Sequence, residues 1–231
     1  MWVRPEYERL GRDFPVLAAH FGIAVDAALA GELVELIGVF EAVDRHVDSI
    51  NDAAARAGLT ASIVRALREE ATLDGAIDHT IDGELAASVA ALRRLTARGG
   101  DVPADVIDNV ERFFARSETL RTTTCARTFV QAVVDEAAPA CELALLVAAR
   151  VTDAEFARFF AVLSEVANLV DKLHDVRGDR RRGEIAVRAG TRLHARLAAA
   201  FLVRCALLLR LAPRPLSLIV WGARYLVPPS P

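Results

Sequence analysis

Lysine is nearly missing from this chain: 27 of its 28 basic residues are arginine, and Lys172 stands alone. The formal net charge is -3 and the isoelectric point is near 6.0. No excess of positive charge is left to hold a phosphate backbone, so nucleic acid is excluded as an expected partner. Cysteine is equally sparse. Cys125, Cys141 and Cys205 are odd in number and far apart, so they predict neither a disulfide framework nor a metal site; their apolar helical surroundings predict buried free thiols in a reducing compartment. Long apolar runs are also absent. Leu197–Leu211 is broken by Arg204 and Arg210, and Leu216–Val227 by Arg224, which argues against a membrane span while leaving room for a peripheral membrane contact through this apolar C-terminal third. The first residues carry Glu6, Glu8 and Pro5 where a signal peptide would have a cationic start and an apolar run, so a cytoplasmic location, membrane-associated at most, is expected.

Convincing period-two strands, linkers and internal repeats of 20–50 residues are missing as well. What is present is a chain of 231 residues, 53% apolar and dominated by Ala and Leu, the composition of an all-α globule. One domain over residues 1–231 is expected, and a homodimer is left open. A modest helix is predicted over 6–22. A strong one follows over 24–52, where Leu29, Leu33, Leu36, Ile37, Phe40, Val43, Val47 and Ile50 recur at helical spacing. Thr60 or Ser62 is expected to cap a shorter helix through Thr72, and Asp74-Gly75 to turn the chain into a helix from Ala76 to Arg98. Pro103 opens the next helix, with a break near 121–125, where three threonines weaken helix preference. Helices over 126–150, with Pro139 inside, and from a Thr152–Glu155 capping box to a stop at Gly178 come next. A helix over 191–211 follows, then a short apolar helix or strand-like piece to Val227.

Within that frame one stretch is costly. Asp171, Asp175 and Asp179 lie four residues apart at the end of an apolar helix, and successive i+4 positions drift by only about 40°, so the three share a face. Asp44, Asp48 and Asp52 repeat the spacing on the first strong helix. Crowded like charges repel unless a cation compensates. Two clusters facing one another across an apolar bundle suit a hard cation such as Mg²⁺, which takes oxygen ligands and shares its sphere with substrate phosphates. Departure of a diphosphate would then be assisted by the metal and by arginines, and an apolar cavity would keep water from the carbocation. Metal ligands are expected at Asp44, Asp48, Asp171, Asp175 and Asp179. Diphosphate contacts are expected from Arg121, Arg127, Lys172, Arg180 and Arg181, with Arg116 and Arg182 also nearby. The competing reading of each cluster is a solvated helix face, and of Phe113, Phe114, Phe159 and Phe160 simple core. His46 and His174 are assigned no catalytic role.

The run Asp175-Val176-Arg177-Gly178-Asp179-Arg180-Arg181-Arg182-Gly183-Glu184-Ile185 resembles the second aspartate-rich motif of the squalene/phytoene synthases, D-x-x-x-D followed by an arginine-glycine stretch. Asp44-x-x-x-Asp48 is similar to their first motif. The resemblance covers roughly residues 24–190 and implies the class I isoprenoid synthase fold, a helical bundle with a central apolar cavity. It also implies Mg²⁺-dependent chemistry on a prenyl diphosphate, with Asp44, Asp48, Asp175 and Asp179 at its centre. Where that family carries a motif with tyrosine and glycine, residues 128–150 have neither. The triplet 171/175/179 also matches the spacing of the N-x-x-x-S-x-x-x-E motif of terpene cyclases. A terpene synthase or cyclase is therefore the expected activity. Prenyl transfer to a second substrate, or a helical interaction module without turnover, are the alternatives.

Overall fold

The computed structural model describes residues 5–68 and 83–226, with side chains from residue 12 to residue 222 outside the same gap. Among the described residues the chain forms nine α-helices and no strand; one isolated bridge pairs Arg98 with Asp101 across Gly99 and Gly100. The helices are α1 (Pro5–Ala19), α2 (Ala27–Asp48), α3 (Ala53–Arg68), α4 (Gly83–Thr96), α5 (Ala104–Thr122), α6 (Ala126–Val147), α7 (Ala154–Arg182), α8 (Thr191–Leu211) and α9 (Pro215–Leu226). The all-α expectation holds. The turn expected at Asp74-Gly75 and the helix start at Ala76 lie outside the described residues.

Antiparallel neighbours α5, α6, α7 and α8 pack in sequence, and α2 packs on α1, α4 and α6. Three apolar clusters hold them. One joins Phe14 and Leu17 of α1 to Leu29 and Leu33 of α2, to Phe156, Phe159 and Phe160 of α7, and to Trp221 of α9. Phe14 meets Phe156 and Phe160 edge-on at 5.2 Å, while Phe156 stacks on Phe160 at 5.7 Å. The second binds the far half of α2 to α3, α4, α5 and α6. The third joins Phe129 and Val133 of α6 to Leu169 and Val176 of α7 and to Leu193 and Leu197 of α8. Burying each such side chain stabilises the fold by roughly 1.5–3 kcal/mol.

Several boundaries differ from the sequence expectation, each for a local hydrogen-bonding reason. Helix α2 stops at Asp48, and Asp52 caps α3 instead of extending α2, its carboxylate accepting the Ala55 amide at 2.7 Å. Thr60 and Ser62 lie inside α3, their hydroxyls donating to the carbonyls of Ala57 and Gly58. The cap of α7 is Asp153, one residue past Thr152, and it accepts the amides of Glu155 and Phe156 at 3.0 and 2.8 Å. Helix α7 does not stop at Gly178 but runs one more turn to Gly183, whose φ of +80° satisfies the left-handed stop. The break after α5 is present at Thr123–Cys125, and α6 continues through Pro139. That break leaves Cys125 exposed at the start of α6, so only Cys141 is a buried thiol. Residues 215–226 are helical. No helix among the described residues is long and apolar enough to cross a membrane.

Candidate functional site

A cleft of about 730 Å³ opens between α2, α5, α6 and α7. Its walls change character along one axis because α2, α5 and α7 run in one direction and α6 returns. On α2 the lining passes from Leu33 and Ile37 through Phe40 to Asp44 and Asp48; on α7 it passes from Phe160 through Ser164 and Asn168 to Asp171, Asp175 and Asp179. Helix α5 contributes Phe113, Ser117 and Arg121 in the same order, and α6 contributes Ala144, Ala140 and Glu136. Helical periodicity of three to four residues sets each of these stripes on the face toward the cleft. The apolar end is bridged by Phe40 and Phe113, whose rings stand 5.6 Å apart.

At the charged end the carboxylates meet the chain's own cations. Arg121, with 12% of its side chain exposed, pairs with Asp48 and stands 3.8 Å from Asp44. Its carbonyl accepts the Ala186 amide at 2.8 Å, tying the segment after α7 to the end of α5. Across the cleft, Lys172 reaches Asp179 at 3.3 Å and Asp171 at 3.7 Å. Burial alone would lower the Lys172 pKa, but Asp171, Asp179, Glu136 and Asp44 outweigh it and the net shift is upward, so the ammonium stays charged. Arg182 closes on Asp179 at 2.6 Å and on Glu184 at 2.5 Å, and its pKa is raised chiefly by the Glu184 hydrogen bond. Asp179 is thus a buried carboxylate, 4% exposed, held between two cations.

The structure brings Asp44, Asp48, Asp171, Lys172, Asp175, Asp179 and Arg121 to this one cleft. It places Arg127, Arg180 and Arg181 elsewhere. Arg127 and Arg181 are exposed outside the cleft lining, and Arg180 donates to the carbonyl of Ile185 at 2.9 Å. The helix runs on past Gly178, so Arg180 and Arg181 project about 100° and 200° away from Asp179, and only Arg182 returns to its face. Arg127, Arg180 and Arg181, expected as diphosphate contacts, therefore lie outside the lining of this cleft. Arg116 pairs with Asp135 at 3.7 Å, also outside the cleft lining. The His46 ring donates to the Ala42 carbonyl of its own helix at 2.7 Å.

The donor set offered to a metal is oxygen only and comes from two facing helices, which fits the chemistry of a hard divalent cation. Among the described residues, no three ligating side chains already converge as a metal site; Arg121, Lys172 and Arg182 pair with the carboxylates instead.

No family model, curated protein or solved structure matches this chain. The site stands on its own residues.

Two cleft residues, Glu184 and Glu136, carry no spacing signal for the cleft, while Arg182 is singled out from Arg180 and Arg181 by its i+3 spacing from Asp179. Glu184 follows the helix stop, where spacing predicts no facing. Glu136 lies in an Ala-rich segment, on the stripe shared with Ala140 and Ala144, and carries no motif. Ser117 donates a hydrogen bond to it across from α5. Burial, with a smaller push from Asp44, raises the Glu136 carboxyl to about 7 against the opposing pull of Lys172, Ser117 and Arg121.

Proposed function

We propose that the cleft binds the diphosphate of a prenyl ester at its charged end and the hydrocarbon at its apolar end, and that the chain is a Mg²⁺-dependent terpene synthase or cyclase of the isoprenoid synthase type. The observation that carries this reading is the single axis on which Asp44 and Asp48 of α2 face Asp171, Asp175 and Asp179 of α7 above an aromatic and aliphatic floor. A metal bound by these five aspartates would neutralise charge on the departing diphosphate oxygen. Arg121, Lys172 and Arg182 supply the anion-binding donors of the chain itself, preorganised by the carboxylates they now pair with. Phe40, Phe113 and Phe160 exclude water from the hydrocarbon and offer ring faces to a cation. The cleft volume of about 730 Å³ falls within the usual range for a small-molecule site, about 300–1,000 Å³.

The test is incubation of the purified chain with geranyl, farnesyl and geranylgeranyl diphosphates, with and without Mg²⁺, following released diphosphate and extracted products. Hydrocarbon or alcohol from one ester supports the synthase. Product formed only from two co-substrates favours prenyl transfer. No release from any ester sinks both and leaves the interaction module. Asp48→Asn and Asp175→Asn are expected to abolish Mg²⁺-dependent release with the far-UV circular dichroism unchanged.

A further inference from the structure

We propose that Glu136 is the proton acceptor that ends the reaction in this cleft, taking a proton from the carbon beside the cationic centre. This role rests on the diphosphate reading above and specifies the step by which the cation is quenched. In that step the C–H bond breaks, its electron pair becomes the C=C bond of an olefin, and the proton passes to a carboxylate oxygen of Glu136.

The placement of the residue carries the inference. Glu136 is the α6 residue at the level where the cleft changes from apolar to charged: Ala140 and Ala144 follow it toward the apolar end, one and two turns along the same face. At its own level it is faced by Ser117 and Arg121 of α5, Asp44 of α2 and Lys172 of α7. Asp48 and Asp179 stand nearer the charged end, and they are engaged by Arg121, Lys172 and Arg182. Glu136 has no such cation within salt-bridge distance among the described residues, and its hydrogen bond comes from a neutral hydroxyl. A carboxylate at this boundary lies one turn from the apolar lining that Ala140 and Ala144 continue on α6, and in a water-poor site it attracts the cation before taking its proton. An apolar neighbour sequence gives no packing reason for a glutamate on this stripe.

The decisive measurement uses Glu136→Gln, which keeps the shape and the Ser117 contact while removing the basic oxygen. Purified wild type and variant are given each of the three prenyl diphosphates with Mg²⁺, and the olefin formed per diphosphate released is compared. The ratio is expected to fall at least about tenfold, with alcohol from water capture taking its place. An unchanged ratio overturns the assignment. Should the Gln variant fail to fold, Glu136→Asp decides: retreat of the carboxylate by one methylene shifts the ratio of double-bond isomers, and an identical olefin mixture overturns the role. Wild type that releases diphosphate but yields alcohol alone overturns Glu136 as acceptor and leaves the cleft reading standing. Wild type that releases none overturns both.

Discussion

Arg121 of α5 closes on Asp48 of α2, 73 residues away in sequence, and this contact joins two walls of the cleft at its charged end. Its guanidinium stands between the two carboxylates of α2 while its backbone carbonyl holds Ala186 at 2.8 Å. One residue therefore joins three separated segments. The repulsion expected between Asp44 and Asp48 is compensated from within the chain.

Arg121→Met is expected to destabilise the fold by about 1–3 kcal/mol, because it removes the cation that pairs with Asp48 and stands 3.8 Å from Asp44 at a partly buried position. Asp48→Asn in the same background should recover part of the loss. Urea unfolding of the two single variants and the double variant measures the coupling; strict additivity would show that the pair contributes nothing.

Lys172 and Asp179 form the complementary prediction. Asp179 is 4% exposed and engaged by both Lys172 and Arg182, so Asp179→Ala, which leaves Lys172 with Asp171 at 3.7 Å, should cost roughly 1–3 kcal/mol, whereas Lys172→Met leaves Arg182 in place and should cost less. The combined Lys172→Met and Asp179→Asn variant is expected to be more stable than Asp179→Ala alone, read as a higher urea midpoint.

Glu136 makes stability depend on pH in the direction opposite to an ordinary salt-bridged carboxylate. Burial pushes its carboxyl in the folded state up to about 7 from an ordinary value of about 4.5, so between these values the folded state binds more protons than the unfolded state. Stability contributed by the protonated carboxyl is therefore full below about 4.5 and is lost as pH rises through about 7. Chemical denaturation from pH 5 to pH 8 should show a wild-type decline of order 1–3 kcal/mol that Glu136→Gln removes.

The two glycines at the end of α7 should respond differently to alanine. At Gly183, with φ +80°, a side chain is strained and Gly183→Ala should cost about 1–2 kcal/mol. At Gly178 a Cβ would meet the Arg182 guanidinium at 3.1 Å. A helix-interior alanine gains about 0.5–1 kcal/mol in propensity, so Gly178→Ala is expected to be near neutral in melting temperature. It should, however, weaken the coupling between Arg182 and Asp179 in a double-mutant cycle, since the guanidinium must shift by a few tenths of an ångström.

Much of this molecule is legible in the chain. Apolar periodicity located α2, α7 and α8, since a buried face must recur every three to four residues whatever the helix packs against. The helix expected around 191–211 is α8, Thr191–Leu211. Boundaries failed where hydrogen bonds of a single side chain decided them: Asp52 capping α3, Asp153 capping α7, and a glycine that continues a helix at 178 but ends it at 183. Glycine permits both outcomes, so its mere presence cannot choose between them.

For the site, the sequence by itself determined that Asp44 shares a helix face with Asp48, and Asp171 with Asp175 and Asp179, because that depends only on spacing within a helix, whereas Asp52 left the face when α2 ended at Asp48. It also determined that Lys172, as the only lysine, sits within that face's span. Only the tertiary structure decided which cations answer those carboxylates and that Glu136 joins them. Arg121, Ser117 and Glu136 reach the cleft through the relative rotation of α5, α6 and α7. That rotation is fixed by apolar packing among helices distant in sequence and leaves no trace in the local pattern of any one of them.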